Sequence, residues 1–140
     1  MLEINFHRND LVKTGPIKSA VDLENYLAVL TETGDLIVYS SEASAKPKLS
    51  PIFTKSFPNA ISMCAYKNDF VVMLQQSNPH ITMIQISKSK IVLETNCATQ
   101  CPTRLFNCKS NICVLDENDT VFVYTFSSKQ LNNFLTEGIY

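Results

Sequence analysis

The chain repeats itself. An apolar run, a short polar turn and a second apolar run occupy Asn25 to Ser40, and the same arrangement recurs from Asp69 to Ser87 and from Asn111 to Ser127. Each unit reads as a β-hairpin, with β-branched and aromatic residues on both arms around Glu-Thr-Gly, Gln-Gln-Ser-Asn-Pro-His or Asp-Glu-Asn-Asp. Leu30, Leu74 and Leu115 hold matching places, which sets a period of roughly 41 to 44 residues.

A weaker strand flanks each hairpin on either side. Ile17 to Leu23 and Ile52 to Phe57 bracket the first, Ala60 to Tyr66 and Lys90 to Thr95 the second, and Pro102 to Phe106 precedes the third. Gln130 to Thr136 follows the third and suits a strand or a short helix. Four short strands in about 42 residues is the length of one β-propeller blade. The middle strands are the most apolar, as they must be when neighbouring blades cover both faces. Pro51, Pro58, Pro79 and Pro102 all avoid them. The predicted fold is all-β: antiparallel four-stranded blades, about three of them, in an incomplete β-propeller. The blades are placed at about 17–57, 58–98 and 99–140, after a leading strand and linker at 1–16, as part of one larger propeller domain.

The phrase Ile17-Lys-Ser-Ala-Val-Asp-Leu-Glu-Asn-Tyr-Leu-Ala-Val-Leu-Thr-Glu-Thr-Gly-Asp-Leu-Ile-Val-Tyr resembles a degenerate WD40-type blade, and the likeness extends over about Ile17 to Phe126. It departs from that family where the third strand would end in Trp-Asp. Here the pairs are Val38-Tyr39, Ile84-Gln85 and Val123-Tyr124, and no Gly-His precedes a blade. The resemblance implies a scaffold of the kind found at the amino-terminal propellers of trafficking, kinetochore and RNA-processing proteins, a non-catalytic module that assembles a multi-subunit complex.

Three blades cannot close a ring that needs about four to eight. The missing blades come from a longer polypeptide, from a second copy in a homodimer, or from a partner subunit. Leu2, Ile4 and Phe6 alternate with polar residues, so the leading strand either completes a last blade or adds to the edge of the first. The chain's 140 residues are 45% hydrophobic with a net charge of -1, which suits a packed domain and disfavours a disordered tail. No apolar run approaches the roughly 20 residues of a transmembrane helix, the amino terminus lacks a signal-peptide pattern, and five cysteines without a CxxC suit reduced thiols. The expected compartment is cytoplasm or nucleus.

Blade topology sorts the charges onto two rims. The turns between second and third strands share one rim with the blade-to-blade connections, and they carry Glu32, Asp35, Asp116, Glu117 and Asp119. The opposite rim carries Lys46, Lys48, Lys67, Lys88, Lys90, Lys109 and Lys129. Strands of six or seven residues hold the rims roughly 20 Å apart, beyond a Debye length. The lysine rim is the candidate surface for RNA or an anionic membrane, in the alternative reading as an accessory RNA-binding subunit of an RNA-modifying or RNA-processing enzyme. Against it stand the scarcity of arginine, only Arg8 and Arg104, and the lack of interleaved aromatic residues. Lysines at strand ends also keep edges from aggregating.

No catalytic, metal or cofactor pattern emerges. Cys97, Cys101, Cys108 and Cys113 have no zinc-knuckle spacing, and Asp116-Glu117-Asn118-Asp119 lacks the glycine and distal glutamate of a calcium loop. His7 and His80 have no nucleophile at motif spacing, and Gly15, Gly34 and Gly138 are isolated. Gly34 is the expected site of a positive φ in a tight turn, and Tyr39 and Tyr124 are expected to pack between blades.

Overall fold

The structure, a computed structural model, describes residues 15–40 and 50–126. Eleven strands form three sheets among these residues. Blade 1 comprises β1 (Ile17–Asp22), β2 (Tyr26–Thr31), β3 (Asp35–Ser40) and β4 (Ser50–Ser56). Blade 2 comprises β5 (Ala60–Tyr66), β6 (Phe70–Gln75), β7 (His80–Gln85) and β8 (Lys90–Asn96). Blade 3 comprises β9 (Pro102–Cys108), β10 (Asn111–Asp116) and β11 (Val121–Tyr124). In every sheet consecutive strands are antiparallel neighbours, so each blade is a meander. The leading strand, Lys46, Lys48, Lys129, His7, Arg8 and the segment Gln130 to Thr136 lie outside the described residues.

Alternation along the middle strands decides how the sheets stack. In β2 and β3, Ala28, Leu30, Leu36 and Val38 face blade 2, where they pack with Met63, Val71, Met73, Ile84 and Ile86. The other side of blade 2 presents Val72, Leu74, Ile81 and Met83 to Leu105, Ile112, Val114 and Tyr124 of blade 3. Burying each such aliphatic side chain is worth ~1.5–3 kcal/mol, so the two interfaces supply most of the cohesion between blades. Tyr124 adds a polar tie, because its hydroxyl accepts the Ala98 amide at 2.8 Å.

The innermost strands β1, β5 and β9 lie side by side and are stitched by polar side chains. The Lys18 ammonium donates to the Ala60 carbonyl at 3.1 Å. The Ser62 hydroxyl accepts the Leu105 amide at 3.0 Å and donates to the Leu105 carbonyl at 3.4 Å. The Asn107 side-chain amide donates to the Ala65 carbonyl. Each inner strand also holds one extra residue: the register slips at Lys18, Ile61 and Thr103. Outer strands β4 and β8 repeat a second slip, at Ile52 and Val92. Such bulges sharpen the right-handed twist that blades require.

The turns between second and third strands are fixed in the same way in every blade. The amides of Glu32, Gln76 and Glu117 donate to the carbonyls of Pro16, Asn59 and Cys101, tying each turn to the connection that enters its blade. The last residue of each second strand adds a side-chain oxygen. Thr31 Oγ1 accepts the Asp35 amide at 3.0 Å, Gln75 Oε1 accepts the Thr82 hydroxyl at 3.3 Å, and Asp116 Oδ1 accepts the amides of Asn118 and Thr120 at 2.9 and 3.0 Å. Gly34, at φ +90°, has the left-handed conformation expected of it, and its carbonyl accepts the Phe57 amide at 2.7 Å.

Two predictions follow from these turns. A Cβ on Gly34 would stand 2.6 Å from the Phe57 carbonyl oxygen, whereas one on Gly15, also at positive φ, meets nothing within 4 Å. Gly34→Ala should therefore cost about 2 kcal/mol or more in urea unfolding, and Gly15→Ala about 1 kcal/mol. The Asp116 carboxyl is held below the ordinary carboxylate range chiefly by the Thr120 amide, with the Asn118 amide and Thr99 hydroxyl adding to it and burial opposing. Its contribution is present above the unfolded pKa near 3.8 and is lost as pH falls through the lower folded value. Asp116→Asn should melt below wild type at pH 7, and the gap should narrow as the pH is taken down below 3.8 and through the lower folded value.

Candidate functional site: two charged rims

Strand direction places the connections 57–59 and 97–101 on the same rim as the turns after β2, β6 and β10. Glu32, Glu117 and Asp119 are exposed there. Asp35 is half-buried and accepts the Thr33 hydroxyl at 3.2 Å. Asp116 behaves differently: at 6% exposure its carboxylate is turned inward onto Thr99, Asn118 and Thr120, so it builds the turn and presents no charge to a partner. The rim also gains a cation that the turn sequences do not reveal. Lys18, on β1, lies 4.0 Å from Glu32.

On the opposite rim Lys67, Lys88, Lys90 and Lys109 are all exposed. Lys67 occupies the turn from β5 to β6, and Lys109 the turn from β9 to β10. Lys88 and Lys90 bracket the turn from β7 to β8. The carboxylate on this rim of blade 2, Asp69, accepts the Ser87 amide at 2.9 Å, the Ser87 hydroxyl at 2.5 Å and the Gln85 side-chain amide at 3.2 Å. It pins one turn of the blade to the next.

Cys113 bonds to Cys108 and stands close to Cys64, but the cysteines do not gather into a metal site. Cys64 faces the core between blades 2 and 3, where burial and the nearby Cys113 push its thiol up to about 12. Cys97 is pushed up to about 11 by burial, opposed by its bond with Tyr124. Both are poor nucleophiles and poor metal ligands in that state. Cys101 and Cys108 are exposed, and all five are free thiols. Among the described residues no group of three or more His, Cys, Asp or Glu is placed to hold a metal ion. His80 contributes to a turn, its ring nitrogens 2.9 Å from the Asn78 carbonyl and from Gln75 Oε1. The cavities are shallow and polar. One of about 300 Å³ opens between blades 1 and 2 beside Lys18, Glu32, Asn59 and Gln76, and another of similar size lies beside His80 and Glu94.

Tyr124 packs between blades as expected. Tyr39 occupies the equivalent place, but it faces the outer flank of blade 1 with Val29 and Ile37, where no described blade lies. Their counterpart in blade 2 is Ile84, because the longer turn at 76–79 displaces the equivalence by one residue from the Ile84-Gln85 pairing read in sequence.

No known protein-family profile matches the chain, and no curated protein matches it by sequence. Its structure is similar to Kluyveromyces lactis Hsv2, with a TM-score of 0.57 at 16% identity over 89% of this chain and 36% of that one. It is also similar to Kluyveromyces marxianus Hsv2, with a TM-score of 0.55 at 13% identity over 81% of this chain and 36% of that one. The chain thus spans about a third of the length of the propellers it resembles. No helix among the described residues is long and apolar enough to cross a membrane. At these identities the likeness is one of fold: three blades of a partial β-propeller.

Proposed function

We propose that the chain is a section of a larger β-propeller domain serving as a non-catalytic scaffold that joins protein subunits. The carrying observation is the outer flank of blade 3, which turns Cys113, Leu115, Val121 and Val123 away from blade 2 and leaves Val121 48% exposed, whereas Val29, Ile37 and Tyr39 on the outer face of blade 1 are buried. A sheet face of this composition is suited to receive a further sheet, whether that sheet belongs to the same polypeptide, to a partner subunit or to a second copy. The rims then present short, well-anchored loops to partners. Cytoplasm or nucleus is the compartment that suits free thiols in a chain of this kind.

A second reading, an accessory subunit that holds RNA, draws on the four exposed lysines of one rim. The two are separable. Under the scaffold reading, the protein tagged in its own cells and cross-linked before purification should carry stoichiometric protein partners, linked through the flanks and rims. Val121→Asp with Val123→Asp should remove the flank partner without unfolding blades 1 and 2. A tagged protein that purifies alone, with its flanks unprotected from cross-linker, contradicts the scaffold. Salt-dependent RNA binding lost on changing Lys67, Lys88, Lys90 and Lys109 to Glu would replace it with the RNA reading.

A further inference from the structure

Among the described residues six other than glycine have a positive φ. Asn59, Asn78 and Asp119 are of the types that tolerate the left-handed region, whereas Lys67 (φ 52°), Lys109 (φ 58°) and Ser89 (φ 49°), the last in the turn from β7 to β8, are not. The two lysines occupy the same turn of successive blades, first-to-second strand. The corresponding turn of blade 1 carries Glu24 and Asn25, with no positive φ. A conformational cost accepted twice, at equivalent places and by the same residue, points to a use for the side chain.

The inner strands bring the two turns together. Asn107 bonds to the Ala65 carbonyl, and each lysine lies two residues further along its strand, so the turns of β5–β6 and β9–β10 leave the sheets as neighbours. The Lys67 ammonium lies 5.5 Å from the centre of the Tyr66 ring, and that ring belongs to the core between blades 2 and 3, so this cation sits on the blade 3 side. Among the described residues neither lysine has a carboxylate within ion-pair distance, and Asp69, the acid of the same turn, is drawn off by Ser87 and Gln85. Asn68 and Ser110, next in each turn and exposed, supply uncharged donors.

Two lysines on neighbouring turns, with uncharged donors beside them, suit one compact dianion better than an extended strand of singly charged diesters, and neither turn carries an aromatic residue for a base to stack on. We propose that the paired turns carrying Lys67 and Lys109 form a binding site for a phosphate monoester. Such a group could come from a phosphorylated side chain or from a small phosphorylated molecule, and the chemistry recognised is the same.

The test is a titration of the full 140-residue chain followed by amide NMR. Capped phosphoserine and glycerol 3-phosphate serve as the monoesters and dimethyl phosphate as the diester. Saturable shifts confined to residues 66–70 and 108–111 are expected for the monoesters, with the diester at least about tenfold weaker; the tighter monoester indicates the source. Lys67→Asn and Lys109→Asn keep a residue suited to positive φ, so each should leave the melting temperature unchanged or raised while weakening binding about tenfold. Lys88→Asn, on the same rim but in another turn, should leave binding as it is. The proposal is overturned if the monoesters give no saturable shifts, if the diester binds equally well, or if Lys88→Asn weakens binding as much as the other two.

Discussion

A sheet whose middle strands are apolar on both faces must be covered on both sides, and everything else in this structure follows from how that requirement is met. Ala28, Leu30, Leu36 and Val38 leave blade 1 no stable arrangement unless a second sheet lies against them, and blade 2 supplies it with Met63, Met73 and Ile84. Blade 2 has the same requirement on its other side, met by Ile112, Val114 and Tyr124. The stack is therefore dictated by alternation, which sends successive side chains of one strand into two different cores. Stacking in turn fixes both rims, because strands of similar length begin and end at the same two levels.

Hydrophobic burial is non-directional and would tolerate sheets sliding over one another. The inner strands remove that freedom. Lys18 on Ala60, Ser62 on Leu105 and Asn107 on Ala65 are each a side chain of one blade bonded to the backbone of the next, about one repeat away in sequence. Backbone groups do not move relative to their own sheet, so these bonds set the registration of blade on blade. The bulges at Lys18, Ile61 and Thr103 belong to the same construction, since all three inner strands are altered alike.

Much of this was legible in the sequence because hairpins advertise themselves. Strand boundaries, blade order, the positive φ at Gly34 and the division of turns between rims all follow from alternating apolar runs and from the residues between them. What was hidden has a physical reason in each case. A bulge adds one residue to a weakly patterned inner strand, and nothing in Ile17-Lys18-Ser19 marks the extra one. Asp116 sits in a polar turn beside Glu117 and Asp119 and reads like them, although its carboxylate is spent on Thr99, Asn118 and Thr120. Left-handed turns are recognised by glycine or asparagine, so Lys67 and Lys109 gave no signal at all. Lys18 escaped notice on the acidic rim because it lies in a strand and reaches Glu32 only through folding.

The central claim is that three consecutive sheets pack face to face as one body. Methyl-to-methyl nuclear Overhauser contacts test it most directly. The account predicts contacts from the methyls of Leu30, Leu36 and Val38 to those of Met63, Met73 and Ile84, and from Ile81 and Met83 to Ile112 and Val114. Contacts confined within each hairpin, with none crossing from blade to blade, would contradict it.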